Sequence, residues 1–312
     1  MLPLFIYFCS MIRLSLILAT YNRAEQLMVT LASVATQRGD ASQWECIVVD
    51  NNSADNTAER ISRFIAEHPT LNIRYCFEPQ QGLSHARNRG IKESVGDILA
   101  FIDDDERIVP EFVKSYIELF DSQADAMAAG GKIIADYPTG RPRWMSHYAE
   151  RPIANPMDFG DYIRPFPKGC IPGGGNMAIR REVFSTIGLF DTALGRTGKR
   201  LIGGEESDLF ERIAARNMKC YYQPRAIMYH IIPQQKLTLE YFVRLSYNTG
   251  ISQYTRAKLH NRIFSLCLKE AVKWCATLLL SLIHRPIQSL YLLRMRWHIS
   301  RGIIDSIKSE DT

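Results

Sequence analysis

No two of the seven cysteines form a CxxC pair; they stand at positions 9, 46, 76, 170, 220, 267 and 275. That spacing argues against a structural zinc site. An odd number of thiols, most of them in apolar surroundings, reads as reduced and buried, as in a cytoplasmic protein. Long apolar runs are also missing. The N-terminal "MLPLFIYFCSMIRLSLIL" has only seven apolar residues, Leu2 to Phe8, before its character breaks, and Arg13 interrupts the next apolar stretch. Such a run cannot span a bilayer, and it lacks the basic flank of a signal peptide. Residues 1–12 therefore read as an N-terminal extension, its first ten residues either the product of a start upstream of Met11 or a weak surface contact. There are no internal repeats and no low-complexity tracts. Net charge is only +5, and it is unevenly placed: residues 256–312 hold 10 Lys/Arg against 4 Asp/Glu, leaving 28 against 29 in residues 1–255.

Within 312 residues, 46% hydrophobic and 23% charged, there is material for one large α/β domain with an appendage. Short apolar runs at 14–18, 44–50, 72–78 and 97–103 alternate with helical spacing at 23–37, 53–68 and 83–94. Leu27, Leu31 and Val34 share one face of the first helix. The Val/Ile run of the second strand has no polar alternation, which suits a parallel strand covered on both faces. This order predicts a doubly wound, mostly parallel sheet. Beyond residue 125 the pattern loosens. A strand is expected at 126–136, an irregular and partly mobile segment at 137–172, and a glycine turn, strand and helix start at 172–184. A helix is expected at 203–217, then two short strands split by Pro224, with helices from 236 onward. Ser53 with Asn56 is expected to cap the second helix.

Ligands of doubly wound sheets sit beyond the carboxyl ends of the strands, and here those ends are all polar: Thr20-Tyr21-Asn22, Asp50-Asn51-Asn52-Ser53, Gln81-Gly82-Leu83-Ser84 and Asp103-Asp104-Asp105. The last is the most demanding. Unit charges about 4–6 Å apart repel by roughly 0.7–4 kcal/mol, depending on the local dielectric. A solvated turn tolerates this; a partly buried strand end needs a cation or must keep a proton. In an extended segment Asp103 and Asp105 point one way and Asp104 the other, so two carboxylates would flank one ion. Mg²⁺ or Mn²⁺, completed by phosphate oxygens, fits such a pair.

"LILATYNRAEQL", "VVDNNSADNT", "GLSHARNRGI", "FIDDDERIVPEF", "GGGNMAIRREVFSTIGLFD" and "GGEESDLFERI" succeed one another in the order and spacing of glycosyltransferase family 2. The chain resembles that family over roughly residues 13–250. The resemblance implies a GT-A fold at 13–250, with a nucleotide-binding half at 13–124 and an acceptor half at 125–250, and then a basic helical extension at 251–312. It implies an inverting enzyme that uses a nucleotide-sugar, a UDP-sugar foremost, with Mg²⁺ or Mn²⁺ on the DxD motif. Thr20, Tyr21, Asn22 and Asp50 would surround the nucleoside, and Asp103 and Asp104 the donor. Asp103 and Asp105 would hold the metal. His230 would be a third ligand or phosphate contact, or else a satisfied core histidine. Arg87 would reach phosphate oxygens, or lie on a solvated helix face. Asn176, after "GGG", would meet a sugar hydroxyl, or belong to a plain turn. For Asp50 a helix-capping turn is the other reading.

Glu206 stands where the family usually has a catalytic aspartate, and Glu205 is the alternative base. Acidic residues that merely favour a helix N-terminus are the plain reading of both. The processive members' Q/RxxRW motif is not matched: Arg296-Trp297 lies far downstream, with Leu293 in place of the Gln or Arg. Transfer of a single sugar is the expectation, in polysaccharide or glycolipid biosynthesis. Two other classes stand beside it: a nucleotidyltransferase, which would want a glycine-rich basic loop after the first strand where "ATYNRAEQL" has none, and a non-catalytic nucleotide-sugar binder.

The tail carries two basic, partly apolar stretches, 266–283 and 287–304. Both suit interfacial helices on anionic lipid, a hairpin packed on the catalytic domain, or a dimer contact. The expected partners are the donor, a saccharide or lipid-linked saccharide acceptor and an anionic membrane surface, with no nucleic acid. The expected place is the cytoplasm or the cytoplasmic face of the plasma membrane.

Overall fold

The runs without polar alternation fold as the centre of the sheet. In the computed structural model, which describes residues 12–198, 201 and 203–309, β1 (Leu14–Thr20) and β2 (Trp44–Asp50) are buried along their whole length. The expected N-terminal extension falls, apart from residue 12, outside the described residues. Successive side chains of a strand point to opposite faces. Leu14, Leu16 and Leu18 share a core with Leu27 and Leu31 of α1 (Ala24–Ala35), Ile61 of α2 (Thr57–Glu67) and Phe112 and Tyr116 of α4 (Phe112–Ser122). Ile17, Ala19, Ile47 and Val49 face the other way, toward Ile91 of α3 (Leu83–Glu93), Val183 of α6 (Arg181–Ile187) and Leu209 of α7 (Glu205–Ala215). Each such aliphatic side chain stabilises the fold by about 1.5–3 kcal/mol relative to exposure. The polar members of these strands are paired: Ser15 Oγ donates to Glu45 Oε1 at 2.6 Å.

The remaining strands are β3 (Ile73–Phe77), β4 (Ile98–Asp103), β5 (Glu106–Ile108), β6 (Ala126–Asp136), β7 (Arg164–Pro165), β8 (Met177–Arg180) and β9 (Lys219–Ile231). Their order is β3-β2-β1-β4-β8-β6-β9-β5, with β7 beside β9. β3, β2, β1 and β4 are parallel, as expected; β8 runs antiparallel to both its neighbours, so the second half of the sheet is mixed. Thr20 pairs with Asp50 and Ala19 with Asp103. Three polar strand ends are thus level on one edge.

Several local expectations are corrected. Pro224 does not split two strands. β9 is continuous, and its register against β6 jumps from Gly131–Gln223 to Lys132–Ile227, so the residues around the proline bulge out, as a residue without an N–H requires in a sheet interior. Ser53 and Asn56 do not cap α2: Ser53 Oγ accepts from the Asn22 amide, and Asp55 Oδ1 accepts from the Thr57 amide at 3.1 Å. β5 and α4 occupy residues 106–122, for which no element is expected. Segment 137–172 is mostly irregular but contains α5 (His147–Ala154).

The C-terminal helices α8 (Leu239–Leu259), α9 (Ile263–Ile283) and α10 (Pro286–Lys308) have their own core with α5, including Phe242, Leu245, Leu292 and Ile299. Residue 250, the expected edge of the catalytic domain, lies inside α8. Trp144 stacks on Tyr291 at 4.3 Å between centroids, tying this unit to the irregular segment.

Candidate active site

The aspartates do not continue the strand. β4 ends at Asp103, Asp104 and Asp105 form a turn, and Glu106 opens β5. The expected two-and-one division of carboxylates, which assumed an extended segment, is therefore replaced by a different one. Asp104 and Asp105 share a cation: Arg23 Nη1 lies 2.8 Å from Asp104 Oδ1 and 3.1 Å from Asp105 Oδ2. Thr20 Oγ1 also donates to Asp104, at 2.9 Å. Lys236 Nζ donates to Asp105 Oδ2 at 2.5 Å. Asp103 turns instead toward Arg87, whose Nη2 is 3.2 Å away.

Arg87 lies on α3 and is 1% exposed. It is neither on a solvated helix face nor free for phosphate. Its Nη1 reaches Glu205 at 3.2 Å and Glu206 at 3.0 Å. One guanidinium thus joins the end of β4 to the first turn of α7. The loop before β8 closes over this pair. A Cβ on Gly174 would stand 1.9 Å from Glu206 Oε1, and one on Gly175 1.7 Å from Glu106 Oε1. The glycines let the backbone approach two carboxyl groups that any side chain would displace.

These groups titrate differently. Burial pushes Glu205 up to about 8, and the neighbouring Glu206 adds to the shift. Burial also raises Glu206, but the charge of Arg87 together with hydrogen bonds from the backbone, Arg87 and Glu205 outweighs it and holds Glu206 below its ordinary value. Burial pushes Asp104 up to about 6 against the opposing charge of Arg23. Asp105 goes down: burial opposes its charge, but the charges of Lys236 and Arg23 prevail. Burial raises Glu106 well above the usual range, helped by Asp103 and Asp105. Near neutrality Glu205 is a neutral acid and Glu206 a carboxylate.

All of this opens on a cleft of about 840 Å³. Its walls include Thr20, Tyr21 and Asn22 from the end of β1, the three aspartates, Glu205 and Glu206, and His230 of β9. Tyr241 and Arg244 of α8 also line it. Of the expected site residues, the structure gathers all but three in this cleft. Asp50 lies outside the lining; it accepts from the Ser53 amide at 2.9 Å and from Tyr75 Oη at 3.1 Å, so the capping-turn reading describes its bonds. Asn176 is fully buried in the sheet, its amide committed to the Lys132 and Ala226 carbonyls and to Tyr116. It is not available to a sugar. Arg87 sits beneath the lining rather than in it.

Among the described residues, no three His, Cys, Asp or Glu side chains stand together as an ion-binding cluster. Asp105 and His230 do face each other, Oδ1 to Nε2, at 3.7 Å. His230 Nδ1 lies 3.0 Å from the Ala154 carbonyl, which only accepts, so Nδ1 carries the proton. Burial lowers the pKa of this histidine, leaving a lone pair on Nε2 aimed at a carboxylate. Two electron-pair donors so placed, with the outer nitrogen fixed by a carbonyl, fit a divalent cation.

A sequence profile described as "Glycosyl transferase family 2" matches residues 15–188. The chain belongs to that family. A curated relative, the glucosyl-dolichyl phosphate glucuronosyltransferase of Haloferax volcanii, is 24% identical over 77% of this chain and 76% of its own. Among solved structures, the mannosyltransferase PcManGT of Pyrobaculum calidifontis, determined with GDP-Man and Mn²⁺, superposes with a TM-score of 0.55 at 17% identity, covering 91% of this chain and 85% of that one. S. aureus TarS 1-349 in complex with UDP-GlcNAc superposes at 0.54 with 18% identity, over 77% of this chain and 66% of that one. The fold is the GT-A architecture expected of a family 2 glycosyltransferase, and the enzyme class is glycosyl transfer.

Two cations of the site do not stand out in the sequence. Arg23 comes directly after "ATYN", so its place beside a strand end is readable in hindsight of the strand alone. Lys236 has no sequence cue: only the pairing of β5 with β9, Glu106 opposite His230, brings the segment after β9 to the aspartates.

Proposed function

We propose that this family 2 enzyme transfers one sugar from a nucleoside diphosphate sugar, a UDP-sugar foremost, to a hydroxyl of a saccharide or lipid-linked saccharide, with inversion. The observation that carries the reading is the single cleft that joins the β1 strand end, the aspartate turn and the ionised Glu206. Tyr21 offers a ring to a base, and Thr20 and Asn22 flank it. Glu206, held by Arg87, takes the proton of the acceptor hydroxyl as its oxygen bonds to the anomeric carbon; the bond to the diphosphate breaks on the opposite face. Glu205, protonated and deeper, keeps no lone-pair charge for that task. Arg23 and Lys236 add positive charge beside the place where diphosphate would sit. Asp105 and His230 would hold a divalent cation, which supplies charge neutralisation to the leaving diphosphate. The relative that acts on a dolichyl phosphate saccharide and the neighbour solved with GDP-Man and Mn²⁺ support a lipid-linked acceptor and a metal-borne donor. Arg296 and Trp297 lie on α10 away from the cleft lining, in keeping with single transfer.

Thermal-shift measurements with UDP-, GDP- and dTDP-sugars, each with and without Mn²⁺, test this. One donor should raise the melting temperature in the presence of Mn²⁺ and release its nucleoside diphosphate slowly by hydrolysis. Release of pyrophosphate, or no stabilisation by any donor, would overturn the reading.

A further inference from the structure

A helix packed in water turns its apolar stripe inward and its charges outward. α9 departs from this. Beside Leu266, its inward face carries Glu270 and Thr277, 7% and 5% exposed. Glu270 accepts from Arg296 Nη1 at 3.0 Å and from Ser300 Oγ at 2.8 Å, both on α10, and Trp274 Nε1 donates to Ser300 Oγ at 2.8 Å. The seam between α9 and α10 is therefore substantially polar. The outward face carries Phe264, Leu268, Val272, Leu279, Leu282 and Ile283, each between 60% and 85% exposed. Positions 264, 268, 272, 279 and 283 fall on one continuous stripe of a helix. A patch of this kind in water marks an interaction surface.

The charges around the stripe say what covers it. Lys269 and Arg285 are exposed. The acid of α9, Glu270, is turned inward and paired, so the outer face of the helix offers Lys269 and no carboxylate, and Arg285 follows it at the start of α10. A second copy of the same helix would bring like charges together without a partner. A sheet of lipid phosphates over acyl chains complements both features. No helix among the described residues is long and apolar enough to cross a membrane, which leaves a helix lying in the plane of the surface.

We propose that α9 seats in the headgroup–acyl boundary of an anionic bilayer, with its apolar stripe inserted and Lys269 and Arg285 on lipid phosphates. α8, which runs into α9 through residues 260–262, lines the cleft with Tyr241 and Arg244; the helical unit therefore links the lipid surface to one wall of the active site. The assignment rests on the polarity of α9 and is independent of which acceptor the enzyme uses.

Co-sedimentation of the full chain with phosphatidylcholine vesicles, with and without phosphatidylglycerol, tests it. Binding should be about tenfold or more tighter with the anionic lipid and should weaken with salt. Cys275, exposed on α9, should react with a water-soluble maleimide in buffer and be protected by the anionic vesicles, as read by peptide mass mapping. The double substitution Leu279→Glu and Leu282→Glu should lower vesicle binding about tenfold or more while leaving the melting temperature and donor-induced thermal shift unchanged. Both positions are on the surface, so loss of fold is not the expected cause. Equal binding to neutral vesicles, no binding to either, or protection of Cys275 by concentration-dependent self-association without lipid would each overturn the proposal.

Discussion

Two adjacent glutamates at the head of α7 are set to opposite protonation states by depth and by one arginine. Glu205 is 2% exposed and rises to about 8, while Glu206 opens on the cleft and is held down by Arg87. A base must be ionised and within reach, and only Glu206 is both. Glu206→Gln is therefore expected to keep the donor-induced thermal shift and to lose about 10²- to 10⁴-fold in transfer rate, the usual worth of a positioned base. Glu205→Gln should retain most of the rate, and it carries a second readout. Between the ordinary glutamate value of 4.5 and about 8, the folded chain keeps a proton on Glu205 that the unfolded chain has released. Stability therefore falls as pH rises through that window. The melting temperature of Glu205→Gln should fall less steeply than that of the parent from about pH 5 to about pH 8. A rate collapse in Glu205→Gln with a normal rate in Glu206→Gln would reverse the assignment. The glutamates are legible as a pair in "GGEESDLF"; their division of labour is not, because it depends on Arg87, 118 residues from Glu205 in the chain.

At the scale of elements, what can be read from the sequence is what is local. The first four strands and three helices are set by apolar periodicity, and "DDD" marks the right edge of the sheet. The turn at Asp104–Asp105 is not legible, because an uninterrupted apolar run gives no sign of where a strand stops and bends toward its next partner. The loop "GGGN" reads either as flexible backbone near a sugar, with Asn176 as the contact, or as a plain turn. Its function in the structure is closer to steric clearance. Gly174→Ala tests this: its Cβ would fall 1.9 Å from Glu206 Oε1 and 2.7 Å from Arg87 Nη2. Both atoms are ends of side chains, so the fold can yield by moving Glu206. The expected result is a melting temperature close to the parent's and a loss of transfer on the order of 10²-fold, as a misplaced catalytic group gives. Full activity in Gly174→Ala would show that Glu206 need not occupy the observed position.

For the whole molecule, the decisive feature is one that no local pattern contains: β8 inserts antiparallel between β4 and β6, and α7 then returns beneath the same edge as α3. Arg87 sits at that junction, contacting Asp103 from the expected nucleotide half and Glu205 and Glu206 from the expected acceptor half. In the sequence it is one cation in a polar helix. Removing it strands three carboxyl groups near one another, and breaking a buried pair in this way costs about 3–5 kcal/mol. Arg87→Met should thus lower stability toward urea by an amount in that range at neutral pH. The loss depends on pH in a definite direction. Without the guanidinium, Glu206 loses the charge that depresses its pKa, so the folded state comes to favour its protonated form; stability then declines as pH rises and recovers as acid protonates the cluster. The difference between parent and Arg87→Met in urea midpoints should be larger at about pH 8 than at about pH 5. A difference that is constant across this range would mean that Arg87 acts by filling space against Phe190, 5.5 Å from its guanidinium carbon, and not by joining the two halves through charge.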